Sequence, residues 1–192
     1  MSVNNAGQIP WRSQMRQLRA AQTTEWMAPD DVVEQVRTQY LETLNWLTEA
    51  TLSSWAQQWA QAPGRLSGAC LKRQRRLVLN ERSSKGVQFV GVVRADHVAE
   101  VRQFSETGSF CLVIDYQSQR RMATYNRRTR ERLHTQDLGD GIVVYAMRYD
   151  AIDQRWKIDS FVQELPPGWR SNPLIQEFMI LPGKYSTVGR DY

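Results

Sequence analysis

The sequence predicts an α+β domain in which two or three helices pack against a curved antiparallel sheet. Apolar residues recur at three- and four-residue spacing up to Gln74, and the spacing changes to two from Val87 onward. Helices followed by a run of antiparallel strands are typical of this fold class. The length of 192 residues fits one domain with two extensions, which we place at 1–30 and 166–192, leaving a domain over 31–165.

Three helices are predicted in the first half of the chain. The first begins at Pro29-Asp30-Asp31, because acidic residues in a first turn bond the free N–H groups and oppose the helix dipole. The residues of its apolar face are Val32, Val33, Val36, Tyr40, Leu44 and Leu47. A second helix is predicted over 52–61, ended by the Pro63-Gly64 pair, and a third, short helix over 66–74.

The second half predicts strands at 97–104, 110–116, 122–125, 142–149 and 156–163. Gly139-Asp140-Gly141 is the strongest hairpin signal, because Asp and Gly tolerate the positive φ that tight turns require. Trp156 is predicted to be buried between sheet and helices, because Ile158 and Val162 share its side of a strand at period two.

The last two predicted strands carry a loose motif, YAMRYD at 145–150 followed by DQRWKI at 153–158. With the layout of 31–165, this motif resembles the closing hairpin of the nuclear transport factor 2-like (cystatin-like) superfamily. The resemblance implies helices in the concave face of a bent sheet, forming a cone that holds a ligand or is filled by side chains. Members include isomerases, dehydratases, polyketide cyclases, transport factors and secretion-system scaffolds, so the fold leaves function open.

Enzymes of that superfamily work by acid–base chemistry in the cone, which makes Asp115, His97 and Tyr145 the catalytic candidates. Asp115 ends an apolar strand, where a carboxylate in a dry pocket can act as a base. We favour the alternative that Asp115 faces outward or caps the following turn. For His97 we likewise favour a solvated polar pair with Asp96 over a general base.

Aromatic residues form two further candidate sets. A ligand pocket would be lined by Tyr40, Trp55, Trp59, Tyr149 and Trp156. Core filling explains this set as well, and we favour it. Trp11, Trp26 and Trp169 lie in the extensions, where aromatic anchors are typical of partner-binding sites.

The formal net charge is +5, and two arginine-rich runs hold most of the excess. Their residues define a candidate patch for an anionic partner such as a nucleic acid: Arg75, Arg76, Arg120, Arg121, Arg127, Arg128 and Arg130. The second run lacks interleaved aromatic residues for base stacking. We therefore favour a solvated loop and helix face, and expect weak oligonucleotide binding.

The leading functional hypothesis is a non-enzymatic protein-binding or assembly module that docks through its extensions and sheet face, with a protein partner or a homo-oligomer. The alternatives are a small-molecule binder or acid–base enzyme using the cone, and a nucleic-acid-associated accessory protein. We expect no cofactor and no metal site, because two His and two Cys show no ligand spacing. No apolar run has the length of a membrane segment, and a cytoplasmic location is expected.

Overall fold

The computed structural model describes residues 28–83, 89–105, 107–166 and 168–169. Three helices pack in the concave face of a curved, unclosed antiparallel sheet of five strands, which confirms the predicted α+β fold. The helices are α1 (Asp30–Ala50), α2 (Trp55–Gln61) and α3 (Gly68–Ser83). The strands are β1 (Phe89–Arg102), β2 (Phe110–Asn126), β3 (Arg132–Asp137), β4 (Gly141–Asp150) and β5 (Arg155–Leu165). Trp11 and Trp26 lie outside the described residues.

The helices form where the sequence predicts them, with different ends. Helix α1 has Asp30 and Asp31 in its first turn and buries Val36, Tyr40 and Trp46 against the sheet. Helix α2 begins at a capping box, in which Ser54 accepts from the N–H of Gln57 and the Gln57 side chain accepts from the N–H of Ser54. Helix α3 is longer than predicted. No helix among the described residues combines the length and apolarity that crossing a membrane would need.

Strand β2 is the centre of the sheet. It pairs with β1 along one edge and with both β3 and β4 along the other, and β5 pairs with β4. The sequence predicts two strands where the structure has one, because 17 residues from Phe110 to Asn126 form the single strand β2. The predicted helix face holds for Arg75 and Arg76, and the predicted loop holds for Arg127, Arg128 and Arg130. It is wrong for Arg120 and Arg121, which lie in β2, and Arg132 begins β3.

The predicted hairpin at Gly139 is also wrong. Strands β3 and β4 both run antiparallel to β2 and pair with successive parts of it, so they follow the same edge in the same direction. Gly139 adopts a φ of +67°, and its N–H bonds to the Asp137 side chain at 2.8 Å. The chain therefore does not reverse at Gly139. The residues between β3 and β4 interrupt the pairing with β2, and β4 continues in the direction of β3.

The sheet buries apolar residues on both faces. The concave face packs against α1 through Ala99, Val113 and Met147, together with Trp156, which is 2% exposed as predicted. The opposite face carries Leu112, Ile114, Ile142, Val144 and Ala146. The prediction that Ile158 and Val162 share one side of β5 is wrong. Register shifts in the pairing of β4 with β5 place Ile158 in the core on the concave face and Val162 in the cluster on the opposite face.

Candidate functional site

The concave face changes from apolar to polar along the strands. Val101, Val113 and Tyr145 are neighbours across β1, β2 and β4. The next row toward the polar end is Ala99, Asp115 and Val143, and the row after that is His97, Gln117 and Gly141. Residues paired across strands share a face, so Asp115, His97 and Gln117 all point toward the helices. We call this region the polar end of the concave face.

Asp115 is the centre of the polar end and has no exposed surface. Its Oδ2 atom accepts hydrogen bonds from the Tyr40 hydroxyl at 2.9 Å and from Gln117 Nε2 at 2.7 Å. His97 Nδ1 lies 2.8 Å from the same oxygen. The other carboxylate oxygen, Oδ1, is buried and has no hydrogen-bond partner among the described residues. A buried carboxylate oxygen without a donor is costly, so the site favours a ligand or water that donates to Oδ1.

His97 is oriented by Asp115. An ionised carboxylate only accepts hydrogen bonds, so the contact places the proton of a neutral imidazole on Nδ1 and leaves Nε2 as an acceptor. The His97 side chain is 22% exposed, and its ring makes no second hydrogen bond to a described residue. His97 Nε2 is therefore open to a ligand.

Two tyrosines extend the site beyond Asp115. Their ring centroids are 6.0 Å apart, and Tyr145 is a diagonal neighbour of Asp115 across β2 and β4. Burial, followed by the charge of Asp115, raises the pKa of Tyr40 well above its usual value. Burial also raises the pKa of Tyr145 to about 12. Both phenols are protonated at neutral pH, and no hydrogen bond joins the Tyr145 hydroxyl to a described residue.

The structure corrects the two interpretations that we favoured for this region. Asp115 does not face outward or cap a turn, because it lies at the centre of the polar end. His97 does not form a solvated pair with Asp96, whose carboxylate accepts from Gln119 at 2.9 Å. The three catalytic candidates, Asp115, His97 and Tyr145, therefore share one face of the sheet.

The five residues of the candidate ligand pocket do not line one pocket. Of the five, Tyr40 lies at the polar end, where its hydroxyl donates to Asp115. Trp156 packs at the apolar end of the concave face, against Phe104 at 5.9 Å and Tyr149 at 5.5 Å between ring centroids. Trp55 and Trp59 are 42% and 38% exposed, so they do not fill the core.

The partner-binding candidates lie elsewhere. Trp169 stacks on Tyr116 at 6.4 Å, on the face opposite the polar end. Arg75 lies over the Trp59 ring at 5.3 Å, and Arg76 is exposed on α3. The remaining arginines are distributed over β2 and the turn that follows it: Arg120 and Arg121 in the strand, Arg127, Arg128 and Arg130 at or in the turn. Arg120 alone of these turns to the concave face, where its Nη1 bonds Glu164 at 3.2 Å.

Gln117 was missed by the sequence reasoning. Its position two residues after Asp115 is the available signal, because residues at i and i+2 of a strand share a face. Among the described residues, no group of three or more His, Cys, Asp or Glu is placed to hold a metal ion. Cys70 and Cys111 are not joined in a disulfide.

Comparison with protein-family models gives no match, and comparison with curated protein sequences gives none either. The superfamily resemblance therefore rests on the layout and the motif of the last two strands, and it stays a prediction.

Proposed function

We propose that this protein is an acid–base enzyme acting on a small molecule at the polar end of the concave face. The observation that carries the proposal is the convergence of Tyr40, His97 and Gln117 on one oxygen of a fully buried carboxylate. A polar cluster that served only the core would pair both carboxylate oxygens, because an unpaired buried acceptor costs about 1–3 kcal/mol. Here Asp115 Oδ1 and His97 Nε2 both remain available to a ligand.

His97 has the arrangement of a general base. Asp115 holds its Nδ1–H and would stabilise the imidazolium formed when Nε2 takes a proton. Tyr145 is suited to the complementary role, because its phenol is protonated at neutral pH and its hydroxyl bonds no described residue. Tyr40 and Gln117 act as positioning residues, since they hold the carboxylate that orients the imidazole.

These roles fit proton abstraction from a carbon next to a carbonyl group. His97 Nε2 takes the proton, the C–H electron pair forms the enolate double bond, and the carbonyl oxygen gains negative charge. The Tyr145 hydroxyl donates a hydrogen bond to that oxygen. Where the substrate carries a C=C bond next to the α-carbon, the enolate is conjugated with it. Return of the proton from His97 to the γ-carbon then moves the double bond and completes an isomerisation without a co-reactant, a reaction class found in the superfamily that the chain resembles.

The test is exchange of carbon-bound protons in D₂O. The full chain is incubated with a panel of small ketones and keto acids, and NMR follows loss of the α-proton signal. We expect at least one compound to exchange faster with the protein than without it. His97→Gln should lower that catalysed rate by about 10²–10⁴-fold, the usual contribution of a general base.

The matched control is His134→Gln, because His134 is the second histidine of the chain and lies exposed on β3. This variant should exchange like the native chain. Equal loss in both variants, or no catalysed exchange with any compound of the panel, contradicts the proposed base.

A second candidate function, assembly of two copies, is favoured by strand β3. All six of its residues are exposed, and among the described residues it pairs with β2 alone. Leu133 on this edge strand is 49% exposed, and Val93 on the same arm of the sheet is 47% exposed. An uncovered edge offers a row of backbone N–H and C=O groups to a second strand. We propose that two copies pair through β3.

Sedimentation velocity tests the assembly. The native chain should be a dimer, and Leu133→Lys should shift it to monomer. Ile152→Lys is the control, because Ile152 is 93% exposed in the turn between β4 and β5. A native chain that stays monomeric, or two variants that behave alike, argues against pairing through β3.

A further inference from the structure

We propose that Arg120 binds the anionic group of the substrate, which makes that substrate a small organic acid with a carboxylate or phosphate group. The inference rests on the proposed acid–base function and names the substrate class of the same site. Three features support it: an irregular backbone that turns Arg120 to the concave face, a glycine that leaves room for its guanidinium, and a buried guanidinium nitrogen that bonds no described residue.

The backbone around Arg120 is irregular on two strands. Arg94 pairs with Arg121 and Asp96 pairs with Ser118, so two residues of β2 stand opposite one residue of β1. Gln119, the first of the two, has a φ of +53°, in the left-handed region. Side chains of a regular strand alternate, so Arg120 would lie on the face opposite Gln117. The bulge shifts the alternation and brings Arg120 to the face of Gln117.

Residues between β3 and β4 hold the bulge of β2 in place. The bulge lies beside them, and the N–H of Leu138 donates to the carbonyl of Arg120 at 2.9 Å. The Asp140 side chain accepts from the N–H of Gln119 at 3.2 Å. Both irregular segments thus support one result, the placement of Arg120 on the face that carries Gln117 and His97.

Gly141 leaves space for the Arg120 guanidinium. It pairs with Gln117 in the same row as His97, and a Cβ at this position would lie 1.7 Å from Arg120 Nη1 and 2.8 Å from Arg120 Cζ. Any other residue would push the guanidinium away. The guanidinium therefore lies in the polar row, across one strand from His97.

The charge of Arg120 is only partly matched. Nη1 bonds Glu164 at 3.2 Å, and the Glu164 side chain is 59% exposed. Nε is buried and bonds no atom in the part of the chain that the structure describes. An ion pair with an exposed carboxylate is weak, since water and salt screen it. A substrate oxyanion that bonded Nε and one Nη in two-point fashion would satisfy the orphan donor and displace Glu164.

Arg120, Tyr145 and His97 share the concave face of the sheet. Burial raises the pKa of Tyr145, and the charge of Arg120 acts on the same phenol in the opposite direction. A substrate held by Arg120 would present its carbonyl oxygen to Tyr145 and its α-carbon to His97. A keto acid has this arrangement.

The test uses acetate and inorganic phosphate as separate probes. NMR of the arginine Nε–H groups in the full chain should show one signal, assigned to Arg120, that shifts with saturation. Gly141→Ala keeps every charge but displaces the guanidinium, and should weaken this binding by at least about tenfold, the worth of one charge-assisted bond. Glu164→Gln should strengthen it, because the competing carboxylate is gone. Arg121→Gln, the adjacent exposed arginine, should leave it unchanged.

The probes and variants separate the outcomes. Saturation by acetate alone supports a carboxylate substrate, and saturation by phosphate alone supports a phosphate ester. No shift with either probe, or equal binding by Gly141→Ala and Arg121→Gln, overturns the anion site. Weaker binding in Glu164→Gln overturns it as well, and this exposed substitution does not threaten folding. Catalysed proton exchange that needs His97 but tolerates Gly141→Ala leaves the acid–base function standing and removes only the Arg120 inference.

Discussion

The Tyr40 hydroxyl donates to Asp115 Oδ2 at 2.9 Å, and this bond joins residues 75 positions apart in the sequence. It connects the middle of α1 to the central strand of the sheet, where both residues have no exposed surface. Close packing of apolar side chains already restricts how a helix can shift. A buried hydrogen bond to a carboxylate defines its position, because any shift leaves the charge with one donor fewer.

Tyr40→Phe removes that donor and keeps the ring. We expect a loss of about 1–3 kcal/mol in the free energy of unfolding, the cost of a buried group deprived of a partner. Tyr145→Phe is the comparison, because the Tyr145 hydroxyl bonds no described residue, and its loss should stay under about 1 kcal/mol. Urea unfolding of both variants measures the difference. Equal losses would mean that the bond to Asp115 contributes nothing specific.

Trp156→Ala should be among the most damaging substitutions in the chain. Trp156 is 2% exposed and lies between Phe104 and Tyr149, so its removal leaves a large cavity at the apolar end of the concave face. The expected loss is about 3–5 kcal/mol. Trp59→Ala is the control, because Trp59 is 38% exposed, and calorimetric melting should show a much smaller change. Similar melting temperatures for the two variants would contradict the burial of Trp156.

The helices and Trp156 could be predicted because local patterns decide them. Val36 and Tyr40 repeat at helical spacing, and an amphipathic helix buries its apolar side wherever it packs. Trp156 lies two residues before Ile158 on β5, and both are buried in the same core cluster, as the period of two predicts. Such elements need no knowledge of which strand lies beside which.

The site could not be predicted in the same way. Asp115 follows four buried residues, Cys111 to Ile114, and a strand that is buried on both faces shows no alternation from which its direction can be inferred. The contact with His97 depends on the register of β1 against β2, and a shift of one residue would turn Asp115 to the other face. Arg120 depends on a bulge at Gln119, where the sequence carries no glycine to mark it.

Alkaline pH should destabilise the fold through Tyr145. Its pKa is raised from 10.0 to about 12 in the folded protein. The unfolded chain therefore loses this proton first as the pH rises. The stabilisation is fully present below pH 10 and is lost as the pH rises through about 12, because the folded state then binds more protons than the unfolded state.

Tyr145→Phe should make the free energy of unfolding less sensitive to pH across this window. Urea unfolding at a series of pH values, native chain against variant, measures the slope. The remaining slope should include Tyr40, whose pKa is raised in the same direction. Identical slopes in the two proteins would show that Tyr145 titrates as it does in the unfolded chain.

Gly68→Ala should destabilise the junction between α3 and β5. Gly68 has a φ of +46°, and a Cβ there would lie 2.5 Å from a carboxylate oxygen of Asp159. That carboxylate is held by Ser67 and by Arg148, each at 3.0 Å, so it cannot move without breaking both bonds. The strained backbone alone costs roughly 1–2 kcal/mol, and loss of the Asp159 contacts adds to it.

Gly64→Ala is the matched control, because its φ lies outside the left-handed region and no atom lies within 4 Å of the added Cβ. We expect this control to be neutral or slightly stabilising, since alanine restricts the unfolded chain. Urea unfolding of the two variants gives the comparison, and a Gly68→Ala chain as stable as Gly64→Ala would mean that Asp159 does not pack against the start of α3.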